Sequence, residues 1–535
     1  MNYSTIIYTF LFSFFFTFLF FTGTGFAQLT DVTQTTPTVP GGQIGKSLEE
    51  QIGTGQGDEF IPGSSIYLIN RDPARSIRRG RQIFQRKFTQ EQGQGPRVSG
   101  NSSGNIQDDP KLGAGLSDSC ASCHGRPRGS AGFGGDVATR PDSRDAPHLF
   151  GLGLVEMIAD EMTRELREIR EEAISQAGNS GKTVKIDLVA KGVKFGKITA
   201  KPDGTIDATD IEGVDPDLRI KPFFHHGETT SIREFIIGAF KAEMGMEAPD
   251  PILCAVTDPD NPQAMVSPAG MEFDPVLDFF ERPPVCDITD DADNDGVLNE
   301  IDPAIVDHVE FYLLNYFKPG SGKTNRRTNR GLRTMREIGC TGCHVQNIEI
   351  ETDRRVADVE TEYNKQQGII NRLFATASTL FDIVDDGEEY PKLVPQGNYF
   401  IVENVFSDFK RHDLGPAFHE RQYDGTMITE FVTEPLWGVG STAPYGHDGR
   451  SINLEEVVLR HGGEAQRSKG RFSRLSGDRK REVLEYLQTL ILFPPDDTAS
   501  NLNEGNPGTN NPQDPAEHGS INLGKLFQID EEGAE

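Results

Sequence analysis

The 535-residue sequence has little positive charge to set against its acids. There are 53 Lys and Arg against 82 Asp and Glu, a formal net charge of −29. That deficit excludes nucleic acid as a partner, because phosphate recognition needs a basic footprint. It leaves two readings: an acidic, solubilising surface, or a field that steers a basic electron-donor protein. Long hydrophobic runs are also nearly missing. The exception is Ile6–Phe21, apolar apart from Thr and Ser, followed by Gly25-Phe26-Ala27. The small residues at −3 and −1 fit a signal peptide cut before Gln28, although no Lys or Arg precedes the run. An uncleaved anchor is the alternative, but the run falls short of the ~20 residues a spanning helix needs. Either reading places the mature protein in the periplasm or another exported compartment, with no membrane span after cleavage.

Cysteine is scarce as well, and its placement is informative. Four of the six lie in Cys120-Ala121-Ser122-Cys123-His124 and Cys340-Thr341-Gly342-Cys343-His344. In CxxCH the two thiols add across the vinyl groups of a haem and the adjacent His becomes the proximal iron ligand. A single CxxC could equally be a redox dithiol or half of a zinc site. Two copies, each followed at once by His in an exported chain, predict two covalently bound haems c. Cys254 and Cys286 remain, and in an oxidising compartment they are expected to form a disulfide, with two buried free thiols as the alternative.

The two motifs belong to a larger repeat. Cys340 follows Cys120 by 220 residues, and His447-Asp448-Gly449 follows His225-His226-Gly227 by 222. Each HxG is followed by an amphipathic stretch, TTSIREFIIGA in one case and SINLEEVVLRH in the other. Arg79-Gly80 resembles Arg330-Gly331, and Phe150-Gly151-Leu152-Gly153 resembles Trp437-Gly438-Val439-Gly440. The expected fold is therefore mainly α, with two cytochrome c-like haem domains from an internal duplication, long loops and a small β insertion. The division reads as a signal peptide at 1–27, a linker or N-terminal arm at 28–66, haem domains at 67–303 and 304–493, and a tail at 494–535. Within this frame 159–177 reads as a solvated helix. Residues 184–211 read as a small hairpin, with turns at Gly192 and Pro202-Asp203-Gly204.

The repeat predicts an asymmetry at the irons. His461 ends the helix after the second HxG, and the residue 222 positions earlier is Ala239. Ala cannot ligate iron. One iron is thus expected to carry two histidines, His344 and His461, and the other to keep an open position opposite His124. A third motif, Asp291-Ala292-Asp293-Asn294-Asp295-Gly296-Val297, fits a calcium loop. It has carboxylates at positions 1, 3 and 5, glycine at 6, the Val297 carbonyl at 7 and Asp302 at 12. A metal-free acidic loop is the alternative.

The stretches FKRHDLGPAF (409–418) and PLWGVGSTAPYGHDGRSINLEEVVLRHGGEA (435–465), with the two CxxCH motifs, resemble the di-haem oxidoreductase family of peroxidases and thiol oxidoreductases. That family is more distantly similar to bacterial di-haem cytochrome c peroxidases and the methylamine-utilisation di-haem enzymes. The likeness runs from about Pro73 to Leu492. It implies that His461 ligates the C-terminal, electron-transfer haem and that His447 sits near that haem without binding iron. It also implies that Glu243, in Glu243-Met244-Gly245, stands above the open N-terminal haem as a general acid–base for hydrogen peroxide. The peroxidase relatives hold calcium between their haem domains. Their bridging tryptophan would align with His225, and the only Trp here is Trp437, a departure from the pattern. The expected function is a peroxidase-like di-haem oxidoreductase served by a small cytochrome or cupredoxin. A di-haem electron carrier and an oxygenase acting on an organic substrate are the alternatives.

Overall fold

The computed structural model describes residues 55–96, 113–124, 144–315, 320–321, 324–363, 373–388, 390–422 and 424–491. The expected signal peptide, most of the linker and the tail lie outside the described residues. Among the described residues, no helix is long and apolar enough to cross a membrane. The fold is mainly helical with small antiparallel sheets.

Helix α1 (Ser65–Arg71) leads directly into α2 (Pro73–Gln85) through Asp72, whose carboxylate accepts the Arg75 amide at 3.2 Å while Pro73 occupies the first helical position. The first CxxCH forms the short helix α3 (Cys120–His124). The long helix α4 (Leu152–Ser180) follows. Strands β1 (Val184–Ala190), β2 (Val193–Ala200) and β3 (Ile206–Asp207) make the expected β insertion. Its tight turn has positive φ at both Lys191 and Gly192, as a two-residue hairpin requires. Then come α5 (Ile232–Ala239), α6 (Pro251–Val256), α7 (Pro303–Leu314) and α8 (Arg326–Ile338). The chain ends its described part with α9 (Leu454–Arg460), α10 (Gln466–Ser473) and α11 (Gly477–Leu487).

Helix α4 corrects the reading of 159–177 as solvated. Its first half is buried through Ala159, Met162 and Leu166, and it begins seven residues earlier than expected. Two of its acids, Glu156 and Glu161, are buried with partners distant in sequence, whereas Glu168, Glu171 and Glu172 in its second half are exposed, as expected of a solvated helix. Glu156 accepts from the Ile232 amide at 2.6 Å and Arg354 at 2.6 Å, and Glu161 accepts the amides of Glu351 and Thr352 and pairs with Lys191 at 2.7 Å. Burial of such carboxylates is tolerable only because these donors replace water.

Two helix pairs organise the packing, and glycine decides both. A Cβ on Gly80 of α2 would lie 2.0 Å from the His308 carbonyl oxygen on α7, and one on Gly331 of α8 would lie 2.0 Å from the Glu482 carbonyl on α11. The second glycine of each aromatic-GxG stretch meets the end of the same helix. The corresponding distances are 2.1 Å from Gly153 to the Leu314 carbonyl and 2.6 Å from Gly440 to the Gln488 carbonyl. Only hydrogen fits at such contacts. On α8 the buried positions Thr328, Gly331, Thr334, Met335 and Ile338 fall on one face, and Met335 and Ile338 join Phe406, Phe472 and Tyr486 in a core. Helix α8 stops at Gly339, whose φ of 95° turns the chain left-handed and presents Cys340 immediately afterwards. The disulfide expected of the remaining cysteines is formed: Cys254 and Cys286 are bonded with Cα atoms 5.7 Å apart.

Candidate active site

The two HxG segments are built alike. Phe223 bridges Thr229 across the first, and Tyr445 bridges Ser451 across the second, each pair displaced by 222 residues. Gly227 and Gly449 both take positive φ in these turns. Ser231 then caps α5 by accepting the Glu234 amide, and Asn453 caps α9 by accepting the Glu456 amide. Ala239 and His461 therefore correspond in register, Ala239 as the last residue of α5 before a π-helical continuation and His461 as the non-helical C-cap that ends α9.

Around the first CxxCH is a cavity of about 400 Å³ with largely apolar walls. Cys120, Cys123 and His124 line it, together with Phe150, Phe235 and Leu313. Ala239, Glu243, His225, Glu434 and Trp437 line it as well. Glu243 is carried on a π-helical turn, Phe240–Met244, that continues α5. Its carbonyl accepts the Leu116 amide at 2.8 Å, tying this turn to the segment that leads into Cys120.

Each histidine expected to bind iron has its Nδ1 fixed on a backbone carbonyl. His124 bonds Pro147 at 2.7 Å, His344 bonds Phe406 at 2.9 Å and His461 bonds Val457 at 2.6 Å. With Nδ1 serving as donor, Nε2 is the atom left to accept a metal. Burial lowers the pKa of His124 and His344 and brings His461 down to about 4, so all three are neutral and ligand-competent near pH 7. Burial pushes the Cys120 thiol up to about 12 and Cys340 up to about 11. A dithiol redox centre needs a stabilised thiolate, which these surroundings oppose.

Other histidines are otherwise engaged. His412 bonds Asp408 at 2.9 Å and Glu464 at 2.8 Å through its two nitrogens. Burial opposes its charge, but hydrogen bonds to Asp408 and Cys343 outweigh that and raise it to about 11. Ligand atoms of Cys343, Asp408 and His412 lie within 4.8 Å of one another, a grouping that exists only while Cys343 is a free thiol. His447 stacks on Phe431 with ring centroids 4.3 Å apart and lies 5.7 Å from the His225 ring. Its burial lowers it to about 3. A sequence of rings also links the two sites, a feature the sequence did not reveal. His225 on the cavity wall lies 5.7 Å from His447, His447 lies 6.2 Å from Phe418, and Phe418 lies 5.3 Å from His461.

The acidic loop gathers differently from the expected calcium set. Oxygens of Asp291, Asp293 and Asp295 lie within 4.8 Å of one another, and Val297 directs its amide to Asp295 at 2.7 Å. Asp302 does not join them. It caps α7, accepting the Ala304 amide at 2.9 Å, because a helix N-terminus there needs an acceptor. Glu247 and Glu300 close on Asp293 instead. Burial and the neighbouring acids raise Glu247 to about 7 and Glu300 to about 8.

Residues 396–490 match the model of the family described as "Di-haem oxidoreductase, putative peroxidase". No curated protein matches the chain. Among solved structures, a chain of Kuenenia stuttgartiensis hydrazine synthase pressurised with xenon is 16% identical, covering 35% of this chain and 55% of that one, with a TM-score of 0.21. This chain thus spans about half the length of that structure, and so low a TM-score carries no argument about fold. Over its C-terminal segment, which holds His412, His447 and His461, the chain is similar to the di-haem oxidoreductases, as its sequence motifs indicated.

Proposed function

We propose that this protein is an exported di-haem c-type oxidoreductase that reduces peroxide, built from two duplicated cytochrome c-like halves. The carrying observation is that one cavity brings together Cys120, Cys123, His124, Ala239 and Glu243. Its thiols, its neutral imidazole and its apolar walls fit a covalently held haem. Cys340, Cys343, His344 and His461 would hold the second. The duplication is supported by the paired glycine contacts. His308 and Leu314 receive Gly80 and Gly153, and Glu482 and Gln488, with the same six-residue separation, receive Gly331 and Gly440. On this reading α7 closes the N-terminal half, and the boundary proposed at 303 moves beyond Asn315.

When bound, the haems would supply one-electron chemistry and, on the side of Ala239, an iron position open to a small oxidant. The net reaction is H₂O₂ + 2 e⁻ + 2 H⁺ → 2 H₂O, with the electrons drawn from a reduced small cytochrome or cupredoxin. Glu243 takes the proton from one peroxide oxygen and returns it to the departing one. Ala239 leaves the space for peroxide that His461 fills in the other half. Phe150, Phe235 and Leu313 exclude water, which strengthens the electrostatic action of Glu243. The rings of His225, His447 and Phe418 offer a route between the halves in place of a bridging tryptophan, so electrons would pass from the His344–His461 side to the His124 side.

Steady-state turnover of hydrogen peroxide by the haem-loaded protein with a reduced small cytochrome tests this function. Donor oxidation in a 2:1 ratio to peroxide is expected. Donor oxidation that does not depend on peroxide would instead mark an electron carrier.

A further inference from the structure

Five carboxylates from two separate stretches meet outside the cavity. Asp291, Asp293 and Asp295 form one group, and Asp293 shares a second with Glu247 and Glu300, every group within 4.8 Å. Glu247 and Glu300 are each only 5% exposed. Glu300 Oε2 accepts the Glu247 amide at 2.7 Å, whereas Glu300 Oε1 is buried with no hydrogen-bond partner. Glu300 thus carries an unpartnered, buried oxygen in a carboxylate grouped with Glu247 and Asp293, and that is costly unless a cation completes the group. The donor set is oxygen alone and rich in charge, which selects a hard cation. Five carboxylates drawn from a loop and a second stretch of chain suit the large, many-oxygen shell of calcium rather than the small octahedral shell of magnesium.

We infer that Asp291, Asp293, Asp295, Glu247 and Glu300 bind one calcium ion, with Asp302 outside its shell. The site lies wholly within the N-terminal half, not between the two haem-bearing halves. Its effect follows from what Glu247 adjoins. Glu247 is four residues beyond Glu243, its carboxylate accepts the Asp293 amide at 2.7 Å, and its carbonyl accepts the Ile301 amide at 3.2 Å. Between them, the Met244 carbonyl accepts the Gly95 amide at 3.1 Å. The ion therefore clamps the 291–300 loop onto the strip of backbone that carries Glu243. Calcium binding itself does not depend on the peroxidase reading; only the importance of Glu243 does.

The test uses full-length, haem-loaded protein stripped with EDTA and titrated with calcium chloride by calorimetry, with thermal melts at each concentration. One ion per chain is expected, with a melting temperature that climbs with calcium and responds less to magnesium. Asp291→Asn and Glu300→Gln should each weaken calcium binding at least tenfold. Asp302→Asn should leave it within about twofold, since Asn caps a helix as well as Asp. Wild-type protein that takes up no calcium, or magnesium bound as tightly as calcium, would overturn the assignment. So would unchanged affinity in both Asp291→Asn and Glu300→Gln, or loss of binding in Asp302→Asn. The visible haem spectrum, read on the same samples, separates a failed calcium site from a failed haem assignment.

Discussion

Helices α5 and α9 begin alike and end differently. Both follow an HxG turn, both are capped by a small polar residue, and both run toward a CxxCH-bearing region. One then ends on Ala239 at the wall of a cavity, the other on His461, pinned through Nδ1 to the Val457 carbonyl. The two helices thus start on one framework and diverge at their ends. Past Ala239 the chain continues into the π-helical turn that carries Glu243, whereas at His461 it leaves the helix. On the proposed reading the side chain at this point decides whether an iron position is closed or open. A histidine there favours electron transfer, and a methyl group leaves room for a substrate.

Exchanging the two residues should have the largest effect. Ala239→His should close the open side, abolish cyanide binding and stop peroxide turnover, while His461→Ala should remove the low-spin signal of the C-terminal haem. If Ala239→His leaves cyanide binding intact, the two positions are not equivalent. Next comes Glu243→Gln, which keeps the shape of the cavity wall but cannot shuttle a proton. A fall in kcat/KM for peroxide of about 10²- to 10⁴-fold is expected, with both haem spectra unchanged. A loss below about threefold would make Glu243 a wall residue only.

Smaller effects probe whether the two halves are packed alike. Gly80→Ala and Gly331→Ala each push a methyl to 2.0 Å from a backbone oxygen. Each should cost about 3 kcal/mol in a urea melt. A large cost at one site and none at the other would break the correspondence. Acid should distinguish the halves. His308 on α7 is buried with Nδ1 2.9 Å from the Ser76 hydroxyl, and burial, then the charge of Arg79, lowers it to about 3. Because its folded pKa lies below the ordinary 6.5, its contribution is present above that value and is lost as pH falls toward 3. Glu482, its counterpart on α11, is held below the ordinary carboxylate value by Arg330 and changes only at lower pH. Between pH 6.5 and 5, wild type should lose about 2 kcal/mol that His308→Gln retains. Equal acid sensitivity in the two proteins would contradict this.

Much of the site was legible because it is local. Two CxxCH motifs, two HxG turns and the residue 222 positions before His461 can be read along the chain. The role of α7 could not be. It carries none of the repeated motifs, and its likeness to α11 lies only in which glycines its carbonyls receive. The burial of α4 escaped for a related reason. Glu156 and Glu161 look solvent-bound until Arg354 and Lys191, distant in sequence, supply their partners. The acidic loop shows the same limit from the other side. Spacing favoured Asp302, but helix capping claims it, and Glu247, 44 residues before Asp291, is the carboxylate that the fold brings beside Asp293.

The proposed inequality of two haem irons is tested most directly by electron paramagnetic resonance of the half-reduced, haem-loaded protein with and without cyanide. With the His344–His461 haem reduced and so silent, a high-spin ferric signal from the other is predicted, converting to low-spin on adding one equivalent of cyanide. A purely low-spin signal in both the oxidised and half-reduced states, unmoved by cyanide, would contradict it.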